Sequence, residues 1–309
     1  NYNAHNCAKD VAAFTARARK EAPDMLLLGP GSVLEGTPGI SITSGIAGIK
    51  WLSTASMMSS EQKPVFDVFT YHYYGAASMR MMQSGPFSIK ADSALSDAWL
   101  RRTDTAADYY IRLRDKYNPG KPIWITETAE AAAGGDPFSA TYLDCFRYLY
   151  QLGSLAKKEI QVIMHNTLAG SEYSLIDQDT HLPKPNYWAA LLWTKLMGTD
   201  VYEAGNGKPG VYLFAQNLKG KAGGIALLVI NTNKDSVAVH IPSDAEQYTL
   251  TSKELQGKTV MLNGKELQLT ANDELPEIKG KAIKSGNITL PATSISFFTI
   301  TDAGIKNRK

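Results

Sequence analysis

The chain has 309 residues, 44% of them hydrophobic and 20% charged, with a formal net charge of +2 at pH 7. That length suits one large domain with a small one, or two of medium size. The near-neutral balance gives no bulk electrostatic reason to expect nucleic acid as a partner, and no apolar run reaches the roughly 20 residues that span a bilayer.

The chain opens on Asn1 without a visible leader, as a processed or truncated product would. Cys7 and Cys145 both fall on the apolar side of predicted helices and read as two buried thiols rather than a disulfide. The five histidines show no pair at ligand spacing, so neither a metal nor another cofactor is expected.

In chain order, Cys7, Val11, Phe14 and Ala18 recur at helical spacing and predict an amphipathic helix over 7–22. Met25 to Leu28 reads as a short buried strand closed by Gly29-Pro30-Gly31, and Ser44 to Met58 as a second helix. Val65 to Tyr74 is a strand rich in β-branched and aromatic residues. A long loop over 75–94 and a helix from Ser96 to Tyr117 follow.

Next comes Ile123-Trp124-Ile125, a buried strand expected to end on Thr126-Glu127 before the loop Ala133-Gly134-Gly135-Asp136-Pro137. A helix over Ser139 to Lys157, a strand over Glu159 to Asn166 and a helix over Tyr187 to Met197 complete this region. A glutamate closing such a strand sits where a (β/α) barrel places its chemistry; the plainer reading is a carboxylate neutralised by a nearby Lys or Arg.

Four strands alternating with helices are half of an eight-stranded barrel. Beyond Gly198 short strands recur between turn signals, with Asn263-Gly264 as a hairpin turn. The fold expected is therefore α/β: the second half of a (β/α)8 TIM barrel over residues 1–200, followed by an all-β sandwich domain over 201–309. A half-barrel leaves two strand edges open, so a missing N-terminal half is expected to complete it.

The strand ending His72-Tyr73-Tyr74, the segment Trp124 to Thr128, the Gly134-Gly135 loop, Asn166 to Tyr173 and Asn186 to Trp193 occur in an order and spacing that resemble the heparanase and β-glucuronidase family of retaining glycoside hydrolases (family 79, clan A). The closing run Ser294 to Phe298 is similar to that family as well. The resemblance covers nearly the whole chain and implies a start just after the fourth barrel strand.

It further implies Glu127 as nucleophile, Tyr73 as a neutral donor beside it, and Tyr71 and His72 at the position of a His-His pair in animal heparanases. Gly134, Gly135 and the Tyr173 hydroxyl would bind a sugar carboxylate, with Asn166 as a further polar contact. The implied partner is a glycan or glycoside containing glucuronic acid, met outside the cell by an exported protein.

The general acid expected in an Asn-Glu-Pro context is absent, and Glu130 reads as solvated rather than as its substitute. Glu130, Asp136 and His165 depart from the family pattern, and dense Lys/Arg clusters suited to heparan sulfate are missing. Three other readings stay open: an inactive carbohydrate-binding relative, a matrix-interaction protein on the same fold, and a clan-A glycosidase of other specificity.

Overall fold

The computed structural model describes residues 2–39, 51–81, 83–85 and 87–303. Four parallel strands stand side by side in sequence order: β1 (Leu28–Val33), β2 (Val68–Ala77), β3 (Ile123–Ala132) and β4 (Val162–His165). Parallel neighbours need long crossovers. These carry α2 (Thr54–Met58), then α3 (Asp97–Leu100) with α4 (Arg102–Tyr117), then α5 (Tyr142–Lys157). Ahead of β1 lies α1 (Ala4–Glu21), whose first turn is capped by the Asn3 side chain accepting from Asn6 N at 2.9 Å.

Alternation along the strands decides which side chains meet the helices. Phe69, Tyr71 and Tyr73 of β2 and Ile123 and Ile125 of β3 pack with Ala106, Ala107 and Tyr110 of α4 and Leu155 of α5. Tyr71 and Tyr110 stack with ring centroids 4.3 Å apart.

After α6 (Pro185–Leu196) the chain builds one large antiparallel sheet. It comprises β5 (Met197–Tyr202), β6 (Val211–Leu218), β7 (Ile225–Asn231), β9 (Ala245–Thr251), β10 (Met261–Leu262), β11 (Lys265–Glu266), β12 (Lys281–Ile283) and β14 (Ser294–Ile300). A separate ribbon pairs β8 (Val237–Ile241) with β13 (Gly286–Leu290).

The ribbon covers one face of the sheet, where Ile241 and Leu290 meet Phe298 and Ile300. The opposite face covers α5 and α6, where Ile295 and Phe297 join Phe146, Leu149 and Trp188. Strand β14 is buried on both faces, its Ser294, Ser296 and Thr299 along with its apolar residues. Asn263 and Gly264, at φ 51° and 84°, form the two-residue turn joining β10 to β11.

Several elements differ from expectation. The first strand begins at Leu28 and runs through Gly29-Pro30-Gly31 rather than stopping there. Proline is tolerated because, among the described residues, β1 pairs with β2 on one side only. Gly29 is needed because a Cβ there would meet the Phe66 ring at 2.3 Å. The second helix keeps only Thr54–Met58; residues 40–50 of that expectation lie outside the described residues. The helix expected from Ser96 is two helices meeting at Arg101. Strand β3 runs on to Ala132, seven residues beyond Ile125, because Thr128 to Ala132 keep pairing with Tyr73 to Ala77 of β2. Both cysteines are free, Cys145 buried and Cys7 half-buried with its Sγ 3.6 Å from Met57 Sδ.

Helix α5 touches the large sheet most closely at Gly153, where an added Cβ would lie 2.4 Å from Phe214 Cγ, the fixed root of that ring. Gly153→Ala would gain about 1 kcal/mol of helix propensity. Overpacking against the sheet, at about 1–3 kcal/mol, outweighs it. Thermal unfolding of the protein carrying this chain should drop by about 2–4 °C on this substitution, where an exposed helix position would give a rise.

Candidate active site

The carboxylate of Glu127 owes its position to an irregularity in β3. Tyr71 pairs with Ile125 but His72 pairs with Glu127, so Thr126 is an extra residue in the ladder. Strict alternation would send Glu127 after Ile123 and Ile125 into the helix-facing core. The bulge instead aims it to the opposite face, beside His72 and Tyr74.

There the Tyr74 hydroxyl donates to Glu127 Oε1 at 2.5 Å, while His72 Nδ1 lies 3.6 Å from Oε2. Asn166, just past β4, donates from Nδ2 to the Tyr74 oxygen at 2.8 Å and to the Tyr173 oxygen at 3.2 Å. With its oxygen accepting from Asn166, Tyr74 turns its proton to the carboxylate. Burial and then the bond to Glu127 push the Tyr74 hydroxyl far above its ordinary range, so it remains a donor. The Glu127 side chain is 40% exposed and thus reachable from solvent.

The expected donor Tyr73 does not reach Glu127. Alternation turns Tyr73 and Tyr71 into the helix-facing core, one residue out of phase with the site. Neither Tyr71 nor Tyr73 lies with the group around Glu127; His72, Asn166 and Tyr173 do, and Tyr74 is the residue sequence reasoning missed.

The glycine loop closes on the same group. Gly134 and Gly135 take φ of +99° and +78°, and a Cβ on Gly135 would meet Ser139 Oγ at 2.6 Å and Tyr173 Cδ1 at 2.9 Å. The Gly135 N–H donates to Ala131 O at 3.1 Å, so that amide is engaged within the loop rather than turned outward as an anion nest requires. Glu172 N donates to Gly134 O at 2.9 Å, and the Arg80 guanidinium spans the loop to pair with Glu172 at 3.0 Å.

Behind β3 lies a second polar group. Arg147 holds Asp144 through two bonds of 2.6 and 2.7 Å, and Asn186 adds a third at 2.7 Å. Glu130, expected to be solvated, is fully buried. Once β3 continues past Glu127, alternation turns Glu130 towards α5.

His165 donates from Nε2 to Tyr173 O at 2.7 Å, since a carbonyl can only accept, and its Nδ1 is buried without a partner. Burial, with Arg147 nearby, lowers this imidazole to about 4 from its ordinary 6.5. Between those values the unfolded chain holds a proton that the folded chain refuses, so stability falls as pH drops from 6.5 towards 4. The contribution is at most about 3 kcal/mol. His165→Gln keeps a donor but does not titrate. Urea unfolding at pH 7 and pH 4.5 should show a smaller loss of stability for this variant than for the wild type.

No family model matches the chain. Curated relatives do. It is 30% identical over 267 residues to heparanase of Gallus gallus, covering 80% of this chain and 49% of that protein. It is 32% identical over 234 residues to baicalin-β-D-glucuronidase of Scutellaria baicalensis, covering 71% and 42%. A solved 4-O-α-L-rhamnosyl-β-D-glucuronidase from Fusarium oxysporum has a similar fold, with a TM-score of 0.67 at 14% identity over 96% of this chain and 65% of the other. The chain thus spans about half the length of the curated relatives it matches. Homology over four fifths of its residues places this chain in the heparanase and β-glucuronidase family.

Proposed function

We propose that this chain is the C-terminal part of a retaining glycoside hydrolase that cleaves β-linked glucuronic acid from glycans or glycosides, with Glu127 as its nucleophile. The observation that carries this reading is the bulge-directed carboxylate held by Tyr74 at 2.5 Å. In a retaining reaction two carboxyl groups stand about 5–5.5 Å apart. Glu127 attacks the anomeric carbon as the second carboxyl protonates the departing oxygen, giving a glycosyl ester. That second group then takes a proton from water, which displaces the sugar and restores Glu127. The second carboxyl is supplied from outside residues 1–309.

Tyr74 serves the attack by position: its hydrogen bond fixes one oxygen of Glu127. The uronate carboxylate is assigned to the Tyr173 hydroxyl, Asn166 and the glycine loop. The engaged Gly135 amide leaves more of this role to Tyr173 and Asn166.

The four-stranded sheet is read as the second half of a (β/α)8 barrel that a further half completes, with the antiparallel sheet and its ribbon as the accompanying β domain. Supporting this, β1 and β4 each pair on one side only among the described residues. Phe14, Met25, Leu26 and Leu28 are exposed around a cavity of about 530 Å³ beside β1. We also read the protein as exported. Asn287, in the sequon Asn287-Ile288-Thr289, is exposed on β13 rather than between strands.

The decisive measurement is kcat/KM on matched aryl β-glucuronide and aryl β-glucoside with the complete enzyme. Glu127→Gln should lose turnover by orders of magnitude while still binding the uronate. Near wild-type turnover would rule out Glu127 as nucleophile. Tyr74→Phe should cost about 10–100-fold in kcat/KM, the worth of a hydrogen bond to a charged group, while Tyr73→Phe should leave it nearly intact. Tyr173→Phe should weaken uronate over neutral sugar by about 1–3 kcal/mol. An unchanged preference would exclude Tyr173 from the carboxylate site without touching Glu127. Expressed alone, residues 1–309 should lack a cooperative thermal transition, because two strand edges and apolar faces stay open.

A further inference from the structure

Three carboxyls and one guanidinium share the space behind the strand that carries Glu127. Glu130 is fully buried, and Asp136, Asp144 and Arg147 are at most 5% exposed. Arg147 is engaged with Asp144, and Arg80, the cation acting on Asp136, is paired with Glu172. Among the described residues, Glu130 and Asp136 are therefore left without an ion pair of their own.

Each of these two carboxyls uses one oxygen to accept a backbone amide. Glu130 Oε2 accepts from Asp136 N at 2.9 Å, and Asp136 Oδ1 accepts from Met79 N at 2.6 Å. The remaining oxygens, Glu130 Oε1 and Asp136 Oδ2, are buried with no hydrogen-bond partner among the described residues. A bare carboxylate oxygen in such a place is costly, whereas a carboxylic acid can carry its proton there.

These bonds run from the end of β3 through the glycine loop to the loop after β2. The Ser78 hydroxyl, donating to Gly135 O at 2.8 Å, and the Ser78 amide, donating to Ala132 O at 2.8 Å, close the circuit. Gly134, Gly135 and Arg80 stand on the block so formed. The two carboxyls do not contact the Glu127 group itself.

We propose that Glu130 and Asp136 are positioning residues that form a proton-dependent latch, holding the glycine loop and the loop after β2 in the shape that receives the sugar carboxylate. This rests on the function proposed above for what the loops receive, but not for the latch. Burial first, and then Asp144, hold Glu130 well above the ordinary carboxyl range; burial does the same to Asp136 more mildly.

The groups facing the pair are Asp144 and Arg147 on α5, Arg80 and the Met79 amide on the loop after β2, and Asn186 on α6 behind Asp144. His165 on β4 lies near Arg147 and stays neutral above about pH 4. Ionising Glu130 sets another negative charge beside Asp144 with Arg147 alone to offset both. For carboxyls raised on folding, the folded chain keeps protons that the unfolded chain releases, so the stabilisation is lost as pH rises. The latch is closed on the acid side and loosens on the alkaline side.

Glu130→Gln keeps the oxygen that accepts from Asp136 N and cannot ionise; Glu130→Ala removes the acceptor. Amide hydrogen exchange of residues 78–81 and 131–137 in the complete protein, corrected for intrinsic rates, reads the latch directly between pH 5 and 9. Wild-type protection should fall by about tenfold or more towards pH 9, the glutamine variant, in which only Asp136 still titrates, should fall much less, and the alanine variant should be poorly protected throughout. Over the same range, the preference for aryl glucuronide over aryl glucoside should decline in the wild type and persist in the glutamine variant. A glutamine variant with the wild-type pH slope in exchange overturns the latch, and this arm stands even if the alanine variant does not fold. If exchange behaves as expected but no glycoside is hydrolysed, the proposed function fails and the latch survives.

Discussion

Placing a carboxylate on the open face of a strand whose neighbouring residues are core-forming is the constraint on which this site depends. Ile123 and Ile125 must face the helices, because they fill the layer against α4 and α5. In regular β structure the next residue in phase with them is Glu127, which would be buried among tyrosine rings and cut off from solvent. One extra residue, Thr126, reverses the phase. It then sends Thr128 and Glu130 to the helix side and leaves Glu127 and Ala129 facing the aromatic cluster of Tyr74 and Tyr173. The acidic pocket behind β3 and the candidate site in front of it are thus two results of a single register shift.

Much of the fold was legible because periodicity reports burial. The short turn-bounded run Ser294 to Ile300, the Asn263-Gly264 turn and the helix stripe of α5 carry strong local signals, and each has the form they imply. What was missed has weaker ones. Strand β5 follows α6 with no breaker between them, so the helix pattern ran on to Met197. Strand β13 buries only Leu290 fully, too little apolar surface to stand out as a strand. Asn166, His72 and Tyr173, singled out through their order along the chain, do lie in the group around Glu127. Tyr74 was not singled out, because choosing between two adjacent tyrosines requires the phase of β2 against a bulge that no residue type announces.

The two polar systems differ in how their charge is compensated. In front, one carboxylate is open to solvent and held by a neutral phenol, itself oriented by an amide. Behind, Asp144 is held by a guanidinium and an amide with almost no access to water. Removing one member of such a buried pair is strongly destabilising, by about 3–5 kcal/mol, because the survivor is left as an isolated charge. The rear pair gives β3 a rigid backing, whereas the front carboxylate stays within reach of solvent.

Helix α5 joins these levels. One side of it carries Asp144, Arg147 and Gln151 towards β3, and the other carries Phe146, Leu149 and Gly153 towards the large sheet. Thirteen of its sixteen residues are buried, so the helix has no solvent face on which to end a domain. The antiparallel sheet is therefore not a detachable module. A chain cut near residue 200 would strip the back of the helix that supports the strand of Glu127, so the four-stranded sheet cannot be separated from the antiparallel sheet at that join. Lineages that trim or replace this sheet would have to supply another apolar wall for α5.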